Sequence, residues 1–312
     1  MTRRYVAIGT EASYGVAPGV NLSGLKVTSV NESFDPGLIF EETCDSQTIN
    51  NAYGGAQKYT GTIEAFLRPA QMGPLFQCLF GVPTGGVYTL AATPKSMTME
   101  ICTDDNGIEN AIRYLGVGIS SMEMNLNARE AVTTRWNYFA KSSSKVAAQA
   151  SVAYPKAEPA LFWGATVTLR SGASTTIKSM TMNIERGLDP DDFVVGHSQL
   201  QGLVINAVPN ISGSITLSQR EWTEFQRALY ADSGASTYAP RTTRGDTSSH
   251  EPGQTNMTLL FKDRTGTPIC QVETDVAVYT DASRSMRGRA GVEKTVNYRV
   301  IGDTFEFTDL TD

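Results

Sequence analysis

Thr60-Gly-Thr-Ile-Glu-Ala-Phe-Leu-Arg68 and, 152 positions further on, Ser212-Gly-Ser-Ile-Thr-Leu-Ser-Gln-Arg220 decide how this chain folds. Both alternate apolar and polar residues around a shared glycine and isoleucine, the period-two pattern of a strand with one buried face. Both are followed by a change of period. Gln71 to Phe80 sets Met72, Leu75, Phe76, Leu79 and Phe80 at helical spacing, and Gly81 stops the run. Glu221 to Tyr230 repeats this with Trp222, Phe225 and Leu229 on one face.

Outward from these two stretches the match continues. At the same offset Lys26 meets Lys178, Asn31 meets Asn183, and Ser46-Gln47 meets Ser198-Gln199. Arg68 meets Arg220, and the turn Asp35-Pro36 meets Asp189-Pro190 after a shift of two. Beyond the helices the offset becomes 160: Met97-Thr98 meets Met257-Thr258, Val132 meets Val292, and Asn137-Tyr138 meets Asn297-Tyr298. The identities are sparse but collinear, and the offset drifts as short insertions would move it. A period of half the chain points to gene duplication, two copies of one fold.

Strand patterns fill most of the remainder: Ser96–Cys102, Ser120–Asn127, Ala165–Arg170, Lys178–Ile184, Met257–Phe261, Val272–Tyr279 and Val296–Ile301. Turn clusters separate them, among them Asp104-Asp-Asn-Gly107, Gly187-Leu-Asp-Pro190 and Lys262-Asp-Arg-Thr-Gly266. The expectation is a mainly β protein of two tandem sandwich- or barrel-like domains, residues 1–155 and 156–312, each with one short flanking helix. A linker is expected near Lys141–Pro159.

The 312 residues are 40% hydrophobic and 19% charged, a globular composition with room for two domains. Net charge is −6; residues 1–156 carry 12 basic and 13 acidic groups, the rest 14 and 19. Such a balance lacks the positive field that drives binding to nucleic acid. Neither a signal peptide nor a run of about 18 apolar residues is visible, so no membrane helix is expected. Cys44, Cys78, Cys102 and Cys270 are widely spaced and read as buried free thiols.

Little in the chain reads as catalytic. His197 and His250 lack a nucleophile-elbow pattern and read as structural or surface residues. Asp104-Asp-Asn-Gly107 lacks the ligand alternation of a calcium loop and reads as a hairpin turn. Asp189, Asp191 and Asp192 read as a solvated turn, with weak cation binding as the alternative at either cluster. Phosphate loops and dinucleotide fingerprints are absent. Arg284 to Arg289 reads as a loop or subunit contact, phosphate binding being the lesser alternative. The three tryptophans, Trp136, Trp163 and Trp222, sit in strand or helix patterns and are expected to be buried. No catalytic residue, cofactor or metal site is assigned.

Several segments resemble the tail tube (major tail) proteins of long-tailed bacteriophages. Ile8-Gly-Thr-Glu-Ala-Ser-Tyr-Gly-Val-Ala-Pro18 is similar to that family's E-x-[ST]-Y-G-x-A opening arm. Gly61-Thr-Ile-Glu-Ala-Phe-Leu-Arg-Pro with the helix ending Leu79-Phe80-Gly81 is similar to its strand and "LFG" helix. Phe162-Trp-Gly-Ala-Thr-Val-Thr-Leu and Lys178-Ser-Met-Thr-Met-Asn-Ile-Glu-Arg-Gly-Leu-Asp-Pro resemble two further segments. The first-half turn, Phe34-Asp-Pro-Gly, departs from the second-half Gly-Leu-Asp-Pro, and the polar stretch Ala231–Gly253 is not matched to a segment of the family.

The resemblance implies a non-enzymatic virion protein that forms rings, and stacks of rings, through which DNA is ejected without specific binding. Two tube domains per chain imply three chains per ring. Implied partners are further copies of itself and the tape measure, terminator and distal tail proteins, with assembly in the host cytoplasm and no membrane. A lumen lined by carboxylates would repel phosphate. Glu41–Tyr59 and Gly196–Asn210 occupy matching places and are expected to contact the adjacent ring. The candidates are Ile49, Tyr53, Gly54 and Gly55 in the first, and Leu200, Leu203, Val204 and Ile205 in the second. The rival readings are another tail part of the same fold, distal tail or terminator, and a β-rich carbohydrate-binding module.

Overall fold

The computed structural model describes residues 4–42, 44, 48–49, 51–90, 93–106, 108–149, 151–169, 172–174, 177–218, 221–230, 254–286, 292–301 and 305–311. His250, the stretch 231–253 and residues 287–289 of the 284–289 arginine run lie outside these residues. Among the described residues the chain is mainly β, with antiparallel sheets that do not close into a barrel and two α-helices.

The first half runs β1 (Tyr5–Thr10), β2 (Ser23–Leu25), β3 (Ser29–Asp35), β4 (Ile39–Glu41), β5 (Asn51–Tyr53), β6 (Lys58–Phe66), α1 (Pro69–Phe80), β7 (Val87–Thr89), β8 (Met97–Asp105), β9 (Ile108–Asn127), β10 (Thr133–Ala140) and β11 (Ser142–Val146). The second half runs β12 (Thr166–Leu169), β13 (Gly172–Ser174), β14 (Ile177–Glu185), β15 (Asn210–Leu217), α2 (Thr223–Tyr230), β16 (Gln254–Lys262), β17 (Pro268–Met286), β18 (Val292–Val300) and β19 (Phe305–Asp309).

The long strands β9 and β17 organise the halves in the same way. The proximal part of β9 joins the ladder β2–β1–β8–β9–β11, and its distal part joins β3–β6–β10–β9. The proximal part of β17 joins β13–β12–β16–β17–β19, and its distal part joins β14–β15–β18–β17. The registers agree with the sequence offsets. Trp136 lies opposite Ile63 and Tyr138 opposite Gly61; Val296 lies opposite Ile215 and Tyr298 opposite Gly213. Even the bulge recurs, between Asn137 and Tyr138 against β9 and between Tyr279 and Asp281 against β18.

Glycine is required at both crossing points. A Cβ on Gly61 would sit 2.5 Å from Tyr138 Oη, and one on Gly213 would sit 2.6 Å from Tyr298 Oη. The tyrosine ring takes the volume that a side chain would fill, so a smooth glycine-bearing strand still packs.

The halves share one core. β7 leaves the first half and pairs with β19, and Phe76 of α1 stacks on Phe307 at 4.2 Å between centroids. Phe80 stacks on Phe305, and Trp136 meets Phe76 edge-on. A second junction joins β9 to β14, from Ser179 opposite Asn127 to Glu185 opposite Ser121. It makes one sheet of eight strands, β3–β6–β10–β9–β14–β15–β18–β17.

Several expectations need correcting. The ladders put Thr181, not Asn183, in the place of Asn31, since Glu32 faces Gly61 where Met182 faces Gly213. A shift of two keeps every side chain on its face, so alternation cannot detect it. The expected linker begins with β11, and α2 begins at Thr223 rather than Glu221. Of the tryptophans only Trp136 is buried. Trp163 lies on a 3-10 turn, Phe162–Gly164, and is 63% exposed. Trp222 precedes α2 and is half-exposed, its ring carrying Lys294 Nζ at 4.8 Å from the centroid. Cys44 is exposed; the other three cysteines are buried, and all four are free thiols. Burial pushes the Cys78 and Cys270 thiols well above their ordinary range.

Candidate functional site

The motif at the amino-terminal arm is a built device. Glu11 is buried, and its carboxylate accepts four hydrogen bonds: from Gly15 N at 2.7 Å, Ser96 Oγ at 2.6 Å, Thr98 Oγ1 at 2.8 Å and Gly116 N at 2.9 Å. Gly15 takes φ +73°, which turns the chain back toward the carboxylate and favours glycine there. Lys141 Nζ lies 5.3 Å from the Tyr14 ring centroid. Burial, helped by the Glu11 charge, pushes the Tyr14 phenol up to about 12. Glu, Tyr and Gly of the motif thus fasten the arm across β8 and β9. The hydrogen bonds make it an anchor for the arm.

The eight-stranded sheet has one face in the core and one polar face. Polar residues recur at alternate positions: Ser29, Asn31 and Ser33 on β3; Thr60, Thr62 and Glu64 on β6; Ser121, Glu123 and Asn125 on β9. Ser179, Thr181 and Asn183 on β14 and Ser212, Ser214 and Thr216 on β15 continue the pattern. Cross-strand hydrogen bonds tie it together: Ser29 Oγ to Glu64, Asn137 Nδ2 to Ser121 Oγ at 2.7 Å, and Thr181 to Ser214 at 2.9 Å. Carboxylates outnumber cations on this face: Asp35, Glu64, Glu123, Glu185, Asp281 and Glu293 against Lys58, Arg135 and Arg299.

At the β3 edge Glu32 is exposed as a residue, yet its carboxyl end lies against Tyr114. Desolvation there raises its pKa, against the lowering effect of the Tyr114 hydrogen bond.

The candidate contact residues fall in two neighbouring places. β4 and β5 form a separate two-stranded hairpin, Ile39 opposite Tyr53. Ile49, Tyr53 and Gly54 are exposed, Gly55 half-exposed. Sequence reasoning missed Leu38, Ile39 and Phe40, which are equally exposed and belong to the same patch; a three-residue strand is too short for its alternation to register. Glu41 Oε2 accepts from Asn51 Nδ2 and Tyr53 Oη, both at 2.8 Å, which holds the hairpin and lowers the Glu41 pKa.

The second segment folds back on the first half. Leu200 is buried with Phe139 and Leu188, and half-buried Leu203 packs on this cluster, so Leu200 is not a surface residue. Val204 and Ile205 are exposed. Gln57 N donates to Ser198 O, and Lys58 pairs with Asp191, so the two segments touch.

The acidic cluster at 189–192 is a turn. Asp189 accepts from Asp191 N and from Asn206 Nδ2 at 2.7 Å. Among the described residues no group of three or more His, Cys, Asp and Glu could hold a metal ion. Asp104 and Asp105 close the β8–β9 hairpin, with Asn106 at φ 54°. No helix among the described residues is long and apolar enough to cross a membrane.

No curated protein matches the chain. The family model described as "Phage tail tube protein" matches residues 1–300. With an anchored arm, a wide sheet polar on one face and a hairpin of exposed apolar residues, the chain belongs to the phage tail tube protein family.

Proposed function

We propose that this chain is the repeating subunit of a phage tail tube. Copies join into rings, rings stack, and the polar face of the eight-stranded sheet lines the channel through which DNA leaves the virion. The observation that carries this reading is that polar face. A solvated face of any antiparallel sheet is polar; what suits a surface past which a polyanion slides is the excess of carboxylates over cations across it, because such a surface must be wet and must not hold phosphate.

Residues 1–155 and 156–312 are read as two copies of one tube-type unit, supported by the matched ladders and the recurring bulge. Three chains then supply six units to a ring. Stacking is assigned to the hairpin patch with Ile49, Tyr53, Gly54 and Gly55, together with Val204 and Ile205. Leu200 and Leu203 support the latter from within. Contiguous exposed apolar side chains on a projecting hairpin favour a protein partner. The role is structural, with no cofactor; the partners are further copies and the tape measure, terminator and distal tail proteins, assembled in the host cytoplasm.

Deleting residues 47–57 is expected to leave folded subunits that no longer form long tubes, read by negative-stain microscopy and sedimentation. Tubes of normal length from that protein would remove the stacking role from the hairpin.

A further inference from the structure

The eight-stranded sheet ends on two open edges. Among the described residues β3 is bonded to β6 alone, and residues 279–286 of β17 to β18 alone. Strands equivalent to these two edges already meet inside the chain, at the junction of β9 with β14. β17 repeats β9 at an offset of 160, bulge included. β14 repeats β3 at an offset of 150, fixed by the Glu32–Gly61 and Met182–Gly213 pairs. The internal junction is therefore a template for joining one chain to the next.

We infer that distal β17 of one copy pairs antiparallel with β3 of a second copy, in the register of the β9–β14 junction. The inference rests on the tail tube reading above and adds the residues of the contact. Thr181–Asn125 becomes Asn31–Ser285, Met182–Met124 becomes Glu32–Arg284, Asn183–Glu123 becomes Ser33–Ser283, and Ile184–Met122 becomes Phe34–Ala282.

The change from Met–Met to Glu–Arg has a physical reason. The internal pair never separates and is buried. The edge residues Glu32 and Arg284 are both exposed until the chain assembles, although the Glu32 carboxyl end rests against Tyr114. A charge on an open strand blunts indiscriminate edge pairing. Opposite signs on the two edges admit β3 against β17 and disfavour pairing of like edges. At the end of the ladder Asp35 falls opposite Asp281, a like-charge contact. Lys58 beside Asp35 and the Asn297 amide, 3.4 Å from Asp281 Oδ2, offset it.

The test uses the full chain with Cys44→Ser, which removes the exposed thiol. Ser33→Cys and Ser283→Cys lie at opposite sides of the sheet, roughly 30 Å apart along seven strand spacings, so a disulfide between them joins two chains. Oxidation is expected to give covalent multimers on non-reducing gels, with at least a tenfold lower yield for Ser33→Cys with Ser285→Cys. In parallel, Glu32→Arg or Arg284→Glu alone is expected to cut the assembled fraction at least tenfold, and the double exchange to restore it, with near-ultraviolet dichroism verifying that each variant is folded. Rings that form without the 33–283 cross-link, or a double exchange no better than the singles, overturn the register. Absence of any ring from the parent protein overturns the tail tube reading instead.

Discussion

Replacing Glu11 by Gln keeps the size of the side chain and changes one oxygen into a donor. Each carboxylate oxygen now accepts one backbone N–H and one hydroxyl: Oε2 from Gly15 and Ser96, Oε1 from Gly116 and Thr98. A hydroxyl rotates and accepts instead, but a backbone N–H only donates. Whichever way the new amide is turned, it leaves one backbone N–H, that of buried Gly116 or of half-buried Gly15, facing an NH2 group. An unpartnered buried donor costs about 1–3 kcal/mol, and the remaining bonds lose their charge assistance. The expected loss is about 3 kcal/mol, near 6 °C in Tm at the lower end of the usual scaling for large domains. Differential scanning calorimetry of Glu11→Gln beside the parent reads it, and limited proteolysis should cut between residues 11 and 22 first. An unchanged Tm with an uncut arm would refute the anchor, since the four bonds would then carry no net stability.

Three further outcomes follow from the same geometry. Gly213→Ala should destabilise by about 1–3 kcal/mol in urea unfolding, because the new methyl would sit 2.0 Å from Thr181 O and 2.6 Å from Tyr298 Oη and the backbone must shift to admit it; an unchanged midpoint would show that glycine is not required there. Tyr5, Tyr14, Tyr114, Tyr138 and Tyr298 all have phenols raised above 10, chiefly by burial. Their protonated forms favour the fold, so stability is full below pH 10 and falls as pH rises toward and past 12; absorbance at 295 nm should show these five ionising only with unfolding. Ile39→Ser with Phe40→Ser should leave the unfolding free energy within about 1 kcal/mol of the parent, because both side chains are exposed, while tube length falls; unaltered tubes would place stacking elsewhere.

Much of the fold was legible because its signals are local. The period-two runs at 60–68 and 212–220 and the helical spacing of Met72, Leu75, Phe76 and Leu79 fix element type before any contact forms. The offset of 160 returned the bulge-matched ladders of β9–β10 and β17–β18. What escaped depends on contacts distant in sequence. β7 crosses to β19, and only the aromatic stack of Phe76, Phe80, Phe305 and Phe307 explains why. Leu200 read as an assembly contact because it stands in an apolar run, yet Phe139 and Leu188, 61 and 12 residues away in the numbering, bury it. Trp222 followed the helical spacing but lies one residue before α2 begins, where Lys294 covers its ring. The polar sheet face was invisible as a surface because each strand reads only as ordinary alternation; pairing eight of them side by side makes it one.

The central claim is that this chain closes into rings whose six sheet units come from three copies. Native mass spectrometry of the purified full-length protein, at concentrations where microscopy records rings or tubes, tests it most directly. The account predicts that the smallest closed species has the mass of three 33.7-kDa chains. Discrete monomers at every concentration, or a smallest closed species of six chains with none of three, would contradict it.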